Sequence, residues 1–325
     1  MIVKELSVPI RVLSLEATRD RLREDHPIAG DIQQELKRRL AGFNGERAVS
    51  YYLDFLPAKD YYIFHALRLP SGKYFFQMDY LLLTTRCLII LECKNFYGTI
   101  SFEESFNQLI RTANDKEEGF QDPISQAKWH RQQLLKFLHS HQISLPVEYL
   151  VVISNPSTII KTSPQNKLAL NKVIHGHSLL ERIEKIVERY QNEIIDLKGV
   201  RKLSKLLLKY HTPETYEVLE KFGLCERDIL TGVRCPNCQR LPMKRVQGAW
   251  ICPACDCKDK KAHISALNDY FLIMGPTITN QKLREFVHLE SEDTAKRLLR
   301  SMNLPATGTN KGRVYHKPEN FHVPR

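Results

Sequence analysis

Residues 74–95, with the sequence YFFQMDYLLLTTRCLIILECKN, constrain the fold more than any other stretch of this chain. They form two apolar, β-prone runs separated by polar residues 84–86, a pattern that predicts two neighbouring strands. Three ionisable residues interrupt these core-like runs: Asp79 lies in the first, and Glu92 and Lys94 end the second. Because side chains alternate along a strand, we expect Glu92 and Lys94 to point the same way.

The turn between the two runs predicts their register. A two-residue turn pairs Thr84 with Cys87 and, counting outward, places Asp79 directly opposite Glu92. Residues in such a pair have Cβ atoms roughly 4.5–5.5 Å apart. Two carboxylates at that distance repel unless a cation or a shared proton lies between them, so a divalent metal beside Lys94 is the natural occupant. The turn has no Gly or Asn, so this register is an inference from counting alone.

Such a site suits the hydrolysis of phosphodiester bonds. Carboxylate oxygens are hard ligands that hold Mg²⁺ or Mn²⁺ with open positions for water and a phosphate oxygen. A neighbouring lysine orients the attacking water or neutralises the phosphate as a compact cation. The alternative is a structural salt bridge at the end of a sheet.

Four motifs occur in a fixed order: Gly45-Glu46-Arg47-Ala48-Val49, Gln77-Met78-Asp79, Glu92-Cys93-Lys94-Asn95 and Asp122-Pro123-Ile124-Ser125-Gln126. They resemble the nuclease-related domain, NERD, of the restriction-endonuclease-like PD-(D/E)XK superfamily. The resemblance covers about residues 36–155. Two positions depart from the family pattern: Tyr80 stands where relatives often carry His, and Cys93 replaces a more usual aliphatic residue.

The resemblance implies an α/β fold, in which a restriction-endonuclease-like core has a central mixed sheet flanked by helices. It implies that Asp79 and Glu92 bind Mg²⁺ or Mn²⁺ and that Lys94 activates or orients water. It also implies auxiliary roles for Glu46, near a second ion, and for Gln126, at the water or the phosphate. The alternatives are a Glu46 stabilised only by the helix dipole and a Gln126 that is simply solvated.

The surrounding sequence predicts the elements that carry these motifs. A helix beginning near Asp31 is expected to break at Gly42–Gly45, with a second helix over about residues 46–55. Residues 103–121 are polar and irregular, which is typical of a loop beside the cleft. Pro123 suits the first turn of a helix that runs to about His139.

The spacing of four cysteines predicts a zinc ribbon. Two CxxC pairs are separated by thirteen residues, and each pair brings two thiolates to one tetrahedral ion: Cys235, Cys238, Cys252 and Cys255. Four cysteines fill all four coordination positions of the ion, so the zinc is expected to be structural. Cys257 is not expected to be a ligand. Crowded cysteines suggest a reducing compartment. The N-terminus does not resemble a signal peptide and the apolar runs are too short to span a membrane, so we expect a cytoplasmic protein.

The basic charge lies mostly in the last third of the chain. The formal net charge is +11, and residues 231–325 hold 16 Lys and Arg against 8 Asp and Glu. This excess favours a polyanionic partner, namely nucleic acid with DNA preferred. The order helix, turn, helix and basic hairpin over residues 263–325 resembles a winged helix-turn-helix. It nominates two sets of contacts: Lys296, Arg297 and Arg300 on the second helix, and Lys311, Arg313 and Lys317 on the wing.

These patterns predict five segments and one leading function. The segments are an N-terminal extension (1–35), the NERD core (36–155), a helical extension and linker (156–230), the zinc ribbon (231–262) and the winged-helix-like domain (263–325). The leading interpretation is a metal-dependent nuclease that its basic tail delivers to DNA. The alternatives are a catalytically silent DNA-binding protein on a nuclease-like scaffold and a protein adaptor that uses the ribbon.

Overall fold

The computed structural model describes residues 1–318, with the side chain of Lys311 outside the described part. The helices are α1 (Ile10–Arg21), α2 (Ala29–Leu53), α3 (Pro123–Ser140), α4 (Lys167–Lys172), α5 (Leu179–Glu188), α6 (Leu197–Tyr210), α7 (Val218–Phe222), α8 (His263–Ile273), α9 (Asn280–Val287) and α10 (Glu292–Ser301). The strands are β1 (Ile2–Lys4), β2 (Tyr62–Ser71), β3 (Tyr74–Leu83), β4 (Leu88–Lys94), β5 (Thr99–Glu103), β6 (Gln108–Ala113), β7 (Lys116–Gln121), β8 (Val147–Ile153), β9 (Ile159–Thr162), β10 (Val173–His175), β11 (Lys244–Val246), β12 (Ala249–Ile251), β13 (Lys258–Asp259), β14 (Thr277–Thr279), β15 (Ala306–Thr307) and β16 (Val314–His316).

The chain is mixed α/β and divides into two compact units. Unit 1 contains residues 1–8 and 40–214, and unit 2 contains residues 9–39 with the chain from residue 215 onward. The chain passes from unit 2 to unit 1 within α2. The finer division into five segments stays a prediction. Within residues 1–318, no helix has both the length and the apolar composition needed to cross a membrane.

Unit 1 is built on a six-stranded sheet in the order β1-β2-β3-β4-β8-β10. Strands β2, β3 and β4 form an antiparallel meander, whereas β8 is parallel to both β4 and β10, so the sheet is mixed. The hairpin register follows the sequence prediction from Leu83 with Leu88 to Tyr80 with Leu91. That ladder ends one pair short of the predicted Asp79–Glu92 pair.

Both faces of this sheet are covered by helices. On one face, Leu81, Leu83 and Ile90 share a core with apolar residues of α3 and α6. On the other face, Leu82 and Leu91 share a core with residues of α2 and α5. Strands buried on both faces read as continuous apolar runs, which is why residues 80–83 and 88–91 carry no polar alternation.

Helix α3 connects β4 to the parallel strand β8 and is fixed at its start by a side-chain cap. Asp122 accepts hydrogen bonds from the backbone N–H groups of Ile124 and Ser125, and Pro123 occupies the first helical position. Both features favour a helix N-terminus at this point. The first turn of α3 therefore lies near the carboxyl end of β4, where Glu92 and Lys94 stand.

The predicted helix break at Gly42–Gly45 is wrong, because α2 continues through both glycines to Leu53. Glu46 therefore lies inside a helix and not at a helix N-terminus. A Cβ at Gly45 would lie 2.6 Å from Cβ of Asn95 and 2.9 Å from Oγ of Ser154. The glycine thus allows a close approach between α2 and the loop after β4, and this packing outweighs the roughly 1 kcal/mol helix penalty of glycine.

The predicted loop over residues 103–121 is also wrong. Strands β5, β6 and β7 form an antiparallel meander, and β9 pairs with β5 to make a four-stranded sheet in the order β7-β6-β5-β9. Asn107, Asn114 and Asp115 supply the positive φ angles of its turns. Leu109 and Phe102 are buried on one face, whereas most residues of β7 are exposed. The charged residues of segment 103–121 interrupt the apolar–polar alternation, so the sequence pattern did not indicate strands.

Unit 2 joins a three-stranded ribbon, β11–β13, to helices α8–α10 through one hydrophobic core that includes the fully buried Trp250. Strands β14, β16 and β15 form a small antiparallel sheet beside these helices. Helix α1 also belongs to this unit. Arg21 Nε lies 2.7 Å from Asp269 Oδ2 of α8, and both side chains are buried.

Candidate active site

The carboxylate of Asp79 lies where the regular ladder between β2 and β3 is interrupted. The pairs His65–Tyr80 and Leu67–Met78 flank an unpaired position at Ala66, whose φ is 47°. Met78 and Leu81 both enter the same core although they are three residues apart, so the side-chain alternation breaks at Asp79. Asp79 Oδ2 accepts a hydrogen bond of 2.8 Å from the backbone N–H of Cys93 on β4. The irregularity thus directs the carboxylate toward the end of β4.

Glu92 and Lys94 form the centre of the site at the carboxyl end of β4. Lys94 Nζ donates to Glu92 Oε1 at 2.7 Å and to Gln126 Oε1 at 3.1 Å. Glu92 Oε2 lies 3.3 Å from Nδ1 of His130 on α3. Both atoms are buried, and neither Glu92 Oε2 nor His130 Nδ1 has a well-aligned hydrogen bond among the described residues. One carboxylate oxygen therefore remains available to another partner.

Glu46 approaches the site from α2. Its Oε2 lies 2.5 Å from Nε2 of the buried His65, and the Tyr80 hydroxyl donates to its backbone carbonyl at 3.0 Å. Gly45 allows this part of α2 to reach Asn95, whose Nδ2 donates to the carbonyl of Ala41 at 2.7 Å. These contacts fix both the main chain and the side chain of Glu46.

The acidic groups of the site perturb one another. Burial and the nearby Glu92 and Glu46 carboxylates raise the pKa of Asp79 well above its ordinary value, against the opposing effect of Lys94. Burial also disfavours ionised Glu92, but His130 and Lys94 outweigh it, so the pKa of Glu92 is lowered. Burial disfavours the charged amine of Lys94, yet Glu92 and Asp79 raise its pKa above the ordinary value. The site thus gathers more negative charge than its single amine neutralises.

The donor set fits a hard divalent cation. Asp79, Glu92 and Glu46 offer carboxylate oxygens, and one oxygen of Glu92 is buried without an aligned partner. Among residues 1–318, no three acidic or imidazole ligand atoms of this site lie within 4.8 Å of one another. Mg²⁺ commonly binds one or two carboxylates and keeps several water molecules.

All five residues predicted for catalysis come together at this end of the sheet, although their roles stay predictions. The sequence allows Trp129, His130 and Arg131 to line the same cleft, and the structure places His130 beside Glu92, on the same face of α3 as Gln126. The structure adds one histidine that the sequence analysis did not assign, His65. His65 lies within an apolar strand, where no local pattern distinguishes a site residue from a buried core histidine.

The four cysteines predicted to bind zinc converge in unit 2. Their sulfur atoms all lie within 4.8 Å of one another, with Cys235 Sγ to Cys255 Sγ at 3.6 Å and Cys238 Sγ to Cys252 Sγ at 3.5 Å. Ligands about 2.3 Å from a tetrahedral Zn²⁺ are about 3.8 Å apart, so the spacing is compatible with zinc. Cys257 is not a member of this group.

The pKa values of these thiols also reflect their crowding. Hydrogen bonds from the backbone at Cys257 and from Asn237 lower the pKa of Cys255 to about 6. The backbone at Arg240 favours the Cys238 thiolate, but burial and the neighbouring cysteines raise the pKa of Cys238 to about 12. A bound cation would remove this competition by stabilising all four thiolates.

The residues nominated for nucleic-acid contact differ in exposure. Lys296, Arg297 and Arg300 are exposed on α10, whose opposite face buries apolar side chains. Arg313 is exposed beside the Tyr315 ring, with 5.3 Å between its guanidinium carbon and the ring centroid. Lys317 is half-buried, and burial lowers its pKa. The side chain of Lys311 lies outside the described residues.

We expect Asp79→Asn to stabilise the protein in the absence of added Mg²⁺. Because the pKa of Asp79 is raised in the folded state, ionisation of this group destabilises the fold increasingly as the pH rises above 3.8 toward the raised value. The amide cannot ionise but still accepts the Cys93 N–H. The melting temperature should rise by several degrees at pH 8 and by less at pH 4, with Asp115→Asn in an exposed turn as the control. A variant less stable than wild type at pH 8 would contradict this electrostatic account.

We expect the protein to carry one tightly bound Zn²⁺ and Cys252→Ser to lose it. Trp250 is fully buried in the core that contains Cys235 and Cys252, so losing the ion should expose it and shift its fluorescence to the red. Metal analysis and emission spectra provide the measurements. Cys257→Ser is the matched control and should retain the ion. Zinc retained by Cys252→Ser, or lost only by Cys257→Ser, would show that the ligand set is different.

Comparison with known proteins gives one family match. Residues 41–154 match the family model for NERD, the nuclease-related domain. No curated protein and no solved structure matches the chain. The matched segment is about a third of the chain and contains Glu46, Asp79, Glu92, Lys94 and Gln126. This match supports the resemblance to a nuclease-related domain seen over residues 36–155.

Proposed function

We propose that the protein is a metal-dependent nuclease that hydrolyses phosphodiester bonds in DNA. The observation that carries this proposal is the convergence of Asp79, Glu92 and Lys94 at the carboxyl end of β4, inside the segment that matches the nuclease-related domain. Such a concentration of acidic side chains with one amine suits a site that positions a phosphate beside a divalent ion.

Asp79 and Glu92 are the proposed ligands of Mg²⁺ or Mn²⁺, and Glu46 extends the acidic surface from α2. A bound ion would lower the pKa of a water molecule and stabilise charge on the phosphate. His65 holds one oxygen of Glu46 at 2.5 Å, which fixes the direction of the carboxylate. We therefore assign His65 a positioning role.

Lys94 acts as a cation in this proposal. Its pKa is raised by Glu92 and Asp79, although burial opposes the charge, so the amine is protonated at neutral pH. A protonated amine cannot remove a proton from water, but it can orient a water molecule and neutralise a phosphate oxygen. Gln126 accepts a hydrogen bond from this amine and thereby limits its position.

His130 is the proposed positioning residue for Glu92. Its Nδ1 lies 3.3 Å from Glu92 Oε2, and together with Lys94 it keeps the pKa of this buried carboxyl low. Glu92 therefore stays ionised at neutral pH, as a metal ligand must. Asp79 differs from Glu92 in this respect, because the carboxylates near Asp79 oppose its ionisation.

The C-terminal part of the chain is the proposed DNA-binding part. The four cysteines would bind a structural Zn²⁺ that stabilises the ribbon, and a cytoplasmic location would keep their thiols reduced. Helices α9 and α10 with the β14-β16-β15 sheet follow the element order of a winged helix-turn-helix. The exposed Lys296, Arg297 and Arg300 would then contact DNA through α10.

We expect the purified protein to cleave DNA in the presence of Mg²⁺ or Mn²⁺, with little cleavage when neither ion is added. Asp79→Asn and Lys94→Ala should each reduce the rate by roughly 100-fold or more, the usual effect of removing one electrostatic group from a transition-state site. Single-stranded, duplex and branched DNA, together with RNA, form the substrate panel. Initial rates on gels give the comparison.

Matched controls separate this effect from a general loss of charge. Asp115→Asn in the exposed turn between β6 and β7, and Lys116→Ala at the exposed first residue of β7, change the same residue types, and both should retain wild-type rates. If folded wild-type protein cleaves no member of the panel with either ion, the nuclease proposal fails and a silent DNA-binding protein is favoured. Equal rates in Asp79→Asn and wild type would remove the proposed mechanism.

We expect Lys296→Ala, Arg297→Ala and Arg300→Ala to weaken duplex binding and its salt dependence. Each lost phosphate contact should reduce the slope of log affinity against log salt concentration by about 1. Anisotropy of a labelled duplex, measured with the Asp79→Asn protein, avoids cleavage and needs no chelator. Lys282→Ala is the control, because Glu226 already pairs with that amine at 3.1 Å. Unchanged slopes in all three variants would exclude α10 as the contact helix.

A further inference from the structure

Two exposed aromatic side chains and one buried aromatic side chain lie on α3 and on the β2–β3 hairpin. Trp129 on α3 is 44% exposed and Tyr74 on β3 is 66% exposed. The buried Phe76 lies beside Trp129, with 6.3 Å between their ring centroids in an edge-on arrangement. Tyr74 and Phe76 are two residues apart on one strand and so share a face. The three rings are named here the aromatic seam.

Of the three rings, Trp129 is the one that the chain places near the candidate active site. Trp129 is three residues after Gln126, so it lies about one helical turn from the amide that contacts Lys94. The next residue, His130, faces Glu92. A hydrogen bond of 2.7 Å from Ser71 Oγ to Gln133 Oε1 joins the tip of the hairpin to α3. The exposed indole is therefore held next to the place where a phosphate would be cleaved.

The parts of α3 and of the β2–β3 hairpin nearest the seam lack acidic residues, although β3 carries Asp79 further along the strand. Neither residues 61–78 nor residues 123–140 contain Asp or Glu. The same two segments supply five Lys and Arg residues: Arg68, Lys73, Lys128, Arg131 and Lys136. Apart from the acidic cluster, the residues around the aromatic seam therefore carry net positive charge. A polyanion that also presents flat apolar surfaces is the favoured ligand there.

We propose that the aromatic seam is a base-stacking platform and that the substrate strand is single-stranded DNA where it passes the active site. This inference names the substrate class of the proposed nuclease and rests on that function. Nucleobases stack on aromatic side chains through their π faces, and those faces are accessible only when the base is unpaired. In a duplex the same faces are covered by neighbouring base pairs. Trp129 supplies the stacking surface, and the exposed Lys73, Lys128 and Lys136 contact the phosphates.

Trp129 also provides a local optical probe. The chain has two tryptophans, and the other, Trp250, is fully buried. A base stacked on Trp129 should quench its emission, which reports binding at this surface and not elsewhere on the chain. We expect saturable quenching of the full-length Asp79→Asn protein by a 15-nucleotide oligothymidylate and little quenching by a 15-base-pair duplex.

Variants then test the contribution of the indole to affinity. Trp129→Ala should weaken oligothymidylate binding by roughly tenfold, within the range measured for stacking of one base. Trp129→Phe should retain most of that affinity, and all variants should bind the duplex as the parent does. Phe106→Ala is the matched control, because Phe106 is an 82% exposed aromatic residue in the β5–β6 turn.

The outcomes distinguish this proposal from the proposed function. Absent quenching, or unchanged oligothymidylate affinity in folded Trp129→Ala, overturns the stacking platform even if the wild-type protein cleaves DNA. Equal quenching by the duplex also overturns it. Quenching and a tenfold loss in Trp129→Ala support the platform, and they do so even if the wild-type protein cleaves nothing.

Discussion

The repulsion between buried carboxylates at the end of β4 is the constraint on which the rest of unit 1 depends. Glu92 and Glu46 are close enough to Asp79 to oppose its ionisation. The Lys94 amine is the cation placed among the three carboxylates. A fold selected for stability alone would replace such a group with apolar residues, which often stabilise a core as well or better. The group lies inside the segment that matches the nuclease-related domain model, which supports a functional reason for these residues.

The backbone shows three local adjustments that hold the acidic groups in place. Gly45 removes the side chain that would separate α2 from Asn95, so Glu46 reaches the site from the middle of a long helix. Ala66 adopts a positive φ where the β2–β3 ladder is interrupted at Asp79. Asp122 caps α3 and so fixes the turn that carries Gln126. Of the three, the positive φ of Ala66 is the departure from regular backbone, and such departures cluster at functional sites.

The sequence predicted much of this arrangement because its strongest signals are local. The apolar runs before and after Thr84 determined the hairpin and its register, and the CxxC spacing predicted the cysteine cluster. The break at Gly45 was wrong because a helix glycine can serve either as a terminator or as a close contact, and only the tertiary partner decides which. His65 was missed for a similar reason, since its significance depends on Glu46, nineteen positions away.

The central claim is that the acidic cluster binds a divalent cation, and direct Mn²⁺ binding tests it without requiring any substrate. Zinc-loaded wild-type protein is titrated with Mn²⁺ and the free ion is followed by electron paramagnetic resonance, beside Glu92→Gln, which replaces the buried carboxylate by a neutral group of the same shape. The account predicts saturable binding by the wild-type protein and a large loss of affinity in Glu92→Gln. Equal Mn²⁺ affinity in the two proteins, or no binding by folded wild-type protein, would contradict it.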